Sequence, residues 1–116
     1  DADLIVLSGD SHNAWAFDLE TQDGAAGVEF AGHSVSSPGF EAYTRGISPS
    51  VVASEVIRTN HQLKWTDTAH RGYMTVTLTP EKAVATWHLL DTVRAKSIAL
   101  AGSQTQTVLR GTNKMV

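Results

Sequence analysis

The sequence contains no cysteine, and this absence excludes disulfide bonds, thiolate metal sites and cysteine nucleophiles. It leaves the redox compartment open, because exported proteins can also lack cysteine. The nine basic residues are scattered and outnumbered by twelve acidic ones, whereas nucleic-acid binders hold phosphates with clustered Lys and Arg. No apolar run approaches the length that a bilayer requires. We therefore expect neither a nucleic-acid partner nor a membrane segment.

What is present is the composition of a folded protein. Of the 116 residues, 41% are hydrophobic and 18% are charged, which predicts one small domain with its own core. The chain begins with Asp and shows no signal peptide, so we interpret its first residue as the result of a cut.

The first half of the chain predicts two strands and a long loop. Residues 3–8 form an apolar run that ends at a turn signal, which predicts a buried strand. A turn signal at residues 22–24 precedes a second predicted strand at residues 28–31. Residues 33–50 are rich in Ser, Gly and Pro, which favours a loop.

The second half predicts one helix and a terminal hairpin. Ser48 is a candidate N-cap and Pro49 suits the first helical position, so we expect a helix from there to about residue 61. Its apolar stripe would comprise Val52, Ala53, Val56, Ile57 and Leu63. From residue 72 to residue 88 a period of two, interrupted once, predicts a β-hairpin with Tyr73 and Trp87 beneath the sheet. From residue 97 onward the tail holds one or two short strand-like runs.

Asp10 and His12 are the strongest candidates for chemistry. They lie two positions apart, directly after the first predicted strand, where one turn can present both side chains. A carboxylate and an imidazole together suit Zn, Mn or Fe. The alternative is that Asp10 closes an Asx turn and His12 is an ordinary loop histidine.

Three ordered blocks of the sequence resemble one family. They are "VLSGDSHNAW", "GVEFAGHSVSSPGFE" and "NHQLKWTDTAHRGYMTVTLTPEKAVATWHLLDTV". In this order they are similar to the C-terminal part of the catalytic domain of PhoD-like metallophosphatases, the alkaline phosphatase D family. The resemblance extends to about Val93.

The resemblance implies a fold, an activity and a pair of metals. The fold would be part of a calcineurin-like phosphoesterase α/β sandwich, which in this chain means a mixed sheet with one main helix and a terminal hairpin (α+β). The activity would be metal-dependent hydrolysis of phosphate mono- or diesters, with iron and calcium or a similar divalent partner, in a periplasmic or secreted enzyme. Asp10 and His12 would be metal ligands.

Other polar residues carry weaker signals. The segment "GHSVSSPG" departs from the G-x-S-x-G nucleophile elbow, because Ser36 stands where the last Gly is required. Under the resemblance Ser34 or Ser36 would contact substrate, although turn residues are the alternative. Arg71 can pair with a carboxylate or a phosphate. The remaining histidines lack mutual ligand spacing and are expected on the surface or partly packed; they are His33, His61, His70 and His88.

The chain lacks motifs for the family's other metal ligands. We therefore expect residues 1–116 to be the C-terminal segment of the domain, without its N-terminal metal-binding half and inactive alone. Strand edges left open would favour an oligomer or a domain swap. The competing hypothesis is a non-catalytic β-rich binding module in which G-D-S-H is only a turn.

Overall fold

A computed structural model describes residues 3–116. Within that range the chain forms seven strands, one α-helix and one short 3₁₀ helix, which makes the class α+β. In chain order these are β1 (Ile5–Ser8), β2 (Ala14–Thr21), β3 (Gly24–Ala31), the 3₁₀ helix (Phe40–Ala42), α1 (Pro49–Thr59), β4 (Leu63–Asp67), β5 (Gly72–Leu78), β6 (Lys82–Leu90) and β7 (Leu100–Leu109).

The first sheet is mixed and has the order β1-β3-β2-β4. β1 runs parallel to β3, while the other neighbours are antiparallel. β2 and β3 form a hairpin whose turn ends at Gly24, where a φ of 111° favours glycine. The second predicted strand is therefore confirmed and is longer than expected. β2 and β4 were not predicted.

The second sheet is an antiparallel meander with the order β5-β6-β7. The predicted hairpin is confirmed as β5 and β6, with Met74 opposite Trp87 and Val76 opposite Ala85. It is not terminal, because the tail forms the ten-residue strand β7, which pairs along β6.

The two sheets pack against each other through small and aromatic side chains. Trp87 is completely buried, lies edge-on to Phe30 at 5.6 Å and contacts Trp65 at 5.0 Å between ring centroids. Its indole Nε1–H donates to the Ala31 carbonyl over 2.8 Å, which satisfies a polar group inside an apolar layer. The buried core cluster consists of Ala14, Ala16, Val28, Phe30, Ala85, Trp87 and Val108.

The burial of two elements differs from the prediction. The first strand is only partly buried, because β1 is an edge of its sheet. Ile5 packs against the core cluster, but Leu4 is 48% exposed and Leu7 59%. Tyr73 does not lie beneath the sheet. It points away from the core, is 47% exposed and stacks on His88 at 4.6 Å, because it lies in the opposite phase of β5 from Met74.

The helix begins as predicted and ends early. Ser48 is its N-cap residue, but the Ser48 hydroxyl bonds the Ser50 hydroxyl and caps no amide. The helix ends at Thr59, and Leu63 is a buried residue of β4 that does not belong to the helical stripe. No helix within residues 3–116 is long and apolar enough to cross a membrane.

Candidate metal site

The turn after β1 carries both predicted metal ligands. Asp10 and His12 have φ values of 73° and 62°, in the left-handed region that Asp and His adopt more readily than most residues. The Ser11 N–H donates to the Gly9 carbonyl over 2.9 Å, which tightens the turn. Asp10 is exposed and His12 is half-buried. The structure therefore places both side chains on one strained turn directly after a strand.

The His12 ring is oriented by the loop that follows β3. His12 Nδ1 lies 2.8 Å from the Pro38 carbonyl. A carbonyl oxygen can only accept, so Nδ1 carries the proton, and in the uncharged form of an imidazole the lone pair then lies on Nε2. A metal-binding histidine usually donates its other ring N–H to a group such as a backbone carbonyl, as His12 does here. An imidazole nitrogen and the Asp10 carboxylate together form a donor set that fits a borderline transition-metal ion.

Asn13 stabilises the turn through hydrogen bonds of its side chain. Its side chain is completely buried, its Nδ2 donates to the Ser11 carbonyl over 2.8 Å, and its Oδ1 accepts the Phe40 N–H over 3.1 Å. The sequence analysis missed this residue. Its signal was weak, since an Asn after G-D-S-H is also what an ordinary polar turn would contain.

Arg71 bonds both the turn at His12 and the loop that follows β3. Arg71 Nη1 donates to the carbonyls of His12 (2.7 Å) and Ser37 (2.8 Å), and Nη2 donates to Glu41 Oε2 (3.0 Å). The predicted pairing of Arg71 with a carboxylate is thereby confirmed, although no signal in the sequence singled out Glu41. A Cβ on Gly39 would clash with Asn13 Oδ1, so only glycine fits at this approach.

Ser34 holds the loop in shape. Its hydroxyl oxygen accepts the N–H groups of Ser36 (3.2 Å) and Ser37 (2.8 Å), as in an ST turn. Ser36 is exposed and Ser34 is half-buried. The predicted contact of Ser34 or Ser36 with substrate stays a prediction, and the Ser34 hydroxyl proton is still available to donate.

An open groove of about 270 Å³ lies beside the turn. Trp15 forms part of it; the indole N–H donates to Ser11 Oγ over 2.6 Å, and the ring meets Phe40 edge-on at 5.6 Å. The groove is lined by Ser8, Gly9, Ser11, Trp15, Phe17, Glu29 and Ala31. The rings of Trp15 and Phe17 therefore line a groove beside the turn that carries the candidate ligands.

The turn carries too few candidate ligands for a complete metal site. Among residues 3–116, no three His, Asp or Glu side chains are grouped so that they could hold a metal ion. Three of the other histidines are bound elsewhere: His61 to Glu20 (3.1 Å), His70 to Asp67 (2.8 Å) and His88 to Thr75 (3.0 Å). All three are exposed or half-buried, as predicted.

The loop that carries the serines also contains a buried histidine. The prediction that His33 lies on the surface or is partly packed is wrong, because His33 is buried and only 8% exposed. Neither ring nitrogen has a hydrogen-bond partner within residues 3–116. Burial lowers the pKa of His33 to about 4, with Arg71, His70 and His88 adding to the shift and Asp67 opposing it.

We expect His33 to weaken the fold in mild acid. The unfolded chain binds a proton near pH 6.5 but the folded chain only near pH 4, so stability is full above 6.5 and falls between these values. The shift corresponds to a loss on the order of 3 kcal/mol. The measurement is the urea unfolding free energy at pH 7 and pH 4.5, for which His33→Leu should flatten the difference and the exposed His61→Leu should not. Equal pH dependence in His33→Leu and the unmodified chain would contradict this.

Asp67 acts in a lower pH window. Burial would raise the pKa of Asp67, but the N–H groups of His70 and Ala69 and the His70 ring outweigh burial and leave this pKa below its ordinary value. Its stabilising effect is therefore lost only as the pH falls below about 3.9. The loss between pH 7 and pH 4.5 is thus assigned to His33.

Comparisons with known proteins agree with the sequence resemblance. Residues 1–87 match the family model of PhoD-like phosphatases. Over 103 residues the chain is 26% identical to alkaline phosphatase D of Bacillus subtilis (strain 168), covering 84% of this chain and 17% of that protein. The solved structure of PhoD matches 90% of this chain and 20% of its own with a TM-score of 0.67 at 19% identity. The chain thus spans about a fifth of the length of these relatives.

Proposed function

The chain belongs to the PhoD-like phosphatase family, and on this premise we propose that the protein to which it contributes hydrolyses phosphate mono- or diesters. The observation that carries the proposal is the turn after β1, where Asp10 and His12 lie two residues apart and His12 Nδ1 bonds the Pro38 carbonyl, which leaves Nε2 as the nitrogen that can bind a metal. The family match favours this function over a non-catalytic β-rich module. Such a module would also have no need for a hydrogen bond that fixes the tautomer of His12.

In the proposed site this chain holds one side of a metal pair. Asp10 and His12 would be ligands, and we propose iron with calcium or a similar divalent ion as the metals. Such a pair polarises phosphorus and activates water for attack. Ser34 and Ser36 would contact the phosphate, and Trp15 and Phe17 would exclude water from one flank.

We propose that residues 1–116 form the C-terminal segment of a larger calcineurin-like sandwich. Three observations support this: two sheets packed face to face, an open edge at β1, and only two candidate ligands among residues 3–116. The remaining ligands would come from an N-terminal half that this segment does not contain.

We further propose that the enzyme acts in the periplasm or outside the cell. This location rests on the family resemblance. Fractionation of the native host, followed by detection of the protein with an antibody to this segment, would place it. Recovery only from the cytoplasm would contradict the proposal.

The decisive assay compares the segment with the longer protein that contains it. We expect the longer protein to hydrolyse p-nitrophenyl phosphate or bis(p-nitrophenyl) phosphate, to lose this activity on chelation, and to regain it with iron and calcium. The 116-residue chain alone should be inactive with the same metals. A longer protein that is inactive with every metal, or that stays active after complete chelation, would contradict the proposed function.

We also propose that the isolated chain self-associates through β1. The strand is an open edge with Leu4 and Leu7 about half exposed, and such edges pair with other chains. Sedimentation equilibrium should show a dimer or larger species, and Leu7→Lys should shift it toward monomer. Val35→Lys, at a loop residue of similar exposure, is the control. A monomer at all concentrations would contradict this.

A further inference from the structure

The guanidinium of Arg71 is buried beneath the G-D-S-H turn. Arg71 is only 5% exposed, and a charged group at this depth requires partners that satisfy it. Three of its hydrogen bonds reach segments that are far apart in sequence: the turn at His12, the loop at Ser37 and the 3₁₀ helix at Glu41. The surface arginine Arg58, by contrast, pairs with Glu55 three residues away on the same helix.

We propose that Arg71 is a positioning residue for the metal site and that it fixes His12 in the tautomer with a free Nε2. This inference rests on the proposed function of His12 as a ligand. Arg71 does not touch the His12 ring; it acts on the two backbone segments between which the ring's own hydrogen bond runs.

The two backbone segments that Arg71 contacts carry the donor and the acceptor of the hydrogen bond between His12 and Pro38. Arg71 Nη1 holds the carbonyl of His12 itself and the carbonyl of Ser37, the residue before Pro38. One nitrogen therefore sets the separation between the donor residue and the acceptor loop. If that separation grows, Nδ1 loses the Pro38 carbonyl, and nothing else in this contact selects the Nδ1–H tautomer.

The turn needs such support because its backbone is strained. Two non-glycine residues, Asp10 and His12, hold left-handed φ values, and such residues persist only where the surrounding structure imposes them. Asn13 restrains the turn at Ser11 and Phe40. The His12 carbonyl accepts instead from Arg71 Nη1.

The chemistry of arginine suits this role. Its planar fork donates from two nitrogens in fixed directions, which a lysine ammonium cannot reproduce. Glu41 anchors the fork through Nη2 and also accepts the Gly39 N–H at 3.0 Å. Hydrogen bonds from the two Nη atoms thus join the guanidinium to the carboxylate and the loop backbone, while Arg71 Nε has no partner within residues 3–116.

The test begins with the tautomer of His12, measured without metal. Long-range ¹H–¹⁵N NMR of the 116-residue chain at about pH 8.5, where imidazoles are neutral, should show His12 protonated at Nδ1. In Arg71→Lys we expect a mixture of tautomers. In Glu41→Gln, which retains the guanidinium but weakens its anchor, we expect a smaller change in the same direction. Arg58→Lys should leave the tautomer unchanged.

The second measurement is Mn²⁺ binding, followed by paramagnetic broadening of the Asp10 and His12 signals. Arg71→Lys should weaken the affinity by about 10- to 100-fold, the effect usual for a group that orients a metal ligand. A native amide spectrum separates this loss from unfolding, and if Arg71→Lys does not fold, Glu41→Gln carries the test. Arg58→Lys should bind as the unmodified chain does.

The outcomes distinguish the two claims. If Mn²⁺ broadens neither residue in the unmodified chain or in the longer protein, the ligand assignment fails. If Mn²⁺ binds at Asp10 and His12 but folded Arg71 or Glu41 variants keep both the tautomer and the affinity, the positioning role of Arg71 is overturned. A shifted tautomer together with weaker binding supports it.

Discussion

Replacement of His12 by alanine in the longer protein is expected to lower kcat/KM for p-nitrophenyl phosphate by about 10²- to 10³-fold. The reason is that the variant loses the imidazole that the turn after β1 offers as a metal ligand through Nε2. Metal ions contribute several kcal/mol of charge stabilisation to phosphoryl transfer, and each 1.4 kcal/mol corresponds to about a factor of ten. Asp10→Asn, which keeps the shape but removes the charge, should produce a loss of similar size.

The matched control for these variants is His61→Ala. His61 is exposed and pairs only with Glu20 on the surface, so its loss should leave kcat/KM unchanged. Metal content should fall in His12→Ala and Asp10→Asn and remain constant in His61→Ala. If His12→Ala retained the same activity and metal content as His61→Ala, the assignment of His12 as a metal ligand would be wrong.

Truncation of Trp87 to alanine is expected to destabilise the fold by about 3 to 5 kcal/mol. Trp87 is completely buried, contacts aromatic rings from the opposite sheet, and donates to the Ala31 carbonyl. The substitution leaves a cavity between the sheets and removes the hydrogen bond to the Ala31 carbonyl, and the cost of this loss adds to that of the lost apolar burial. A loss of this size is comparable with the whole stability of a small domain.

Urea unfolding measures this effect, with Tyr73→Ala as the control on the same sheet. Tyr73 is half exposed on the outer face, so its truncation should cost under about 1 kcal/mol. Trp87→Phe, which keeps an apolar ring but loses the hydrogen bond, should fall between the two. A similar loss in Trp87→Ala and Tyr73→Ala would contradict the position of the core between the sheets.

Local signals predicted part of the fold well. Pro49 and the apolar spacing after it indicated the helix, and the period of two beyond residue 72 indicated β5 and β6. These features depend on neighbours in the sequence, which a single chain displays. The G-D-S-H motif likewise placed Asp10 and His12 after a strand because the turn immediately follows β1.

The signals failed where a partner far along the chain decides the outcome. In β2, Ala14, Trp15, Ala16 and Phe17 are all apolar, so no alternation marked the strand until β3 and β4 were seen on either side. The apolar run of β1 suggested burial, but its place at the sheet edge exposes it. For Tyr73 and Trp87, only the register of the hairpin decided which ring faced the core.

The support of the candidate site was hidden for the same reason. Arg71 reaches His12 across 59 residues and Glu41 across 30, and a sequence without coordinates does not show which carboxylate or carbonyl a buried arginine will meet. Asn13 offered only the ordinary signature of a turn. The candidate ligands could therefore be named from the sequence, whereas the contacts that hold their turn in place could not.

Anomalous X-ray scattering from crystals of the longer, metal-loaded protein tests the central claim most directly. The account predicts a metal peak within about 2.0 to 2.2 Å of both His12 Nε2 and an Asp10 carboxylate oxygen, with His12 Nδ1 still bonded to the Pro38 carbonyl. A metal centre bound elsewhere, with Asp10 and His12 facing solvent and outside coordination distance, would contradict it.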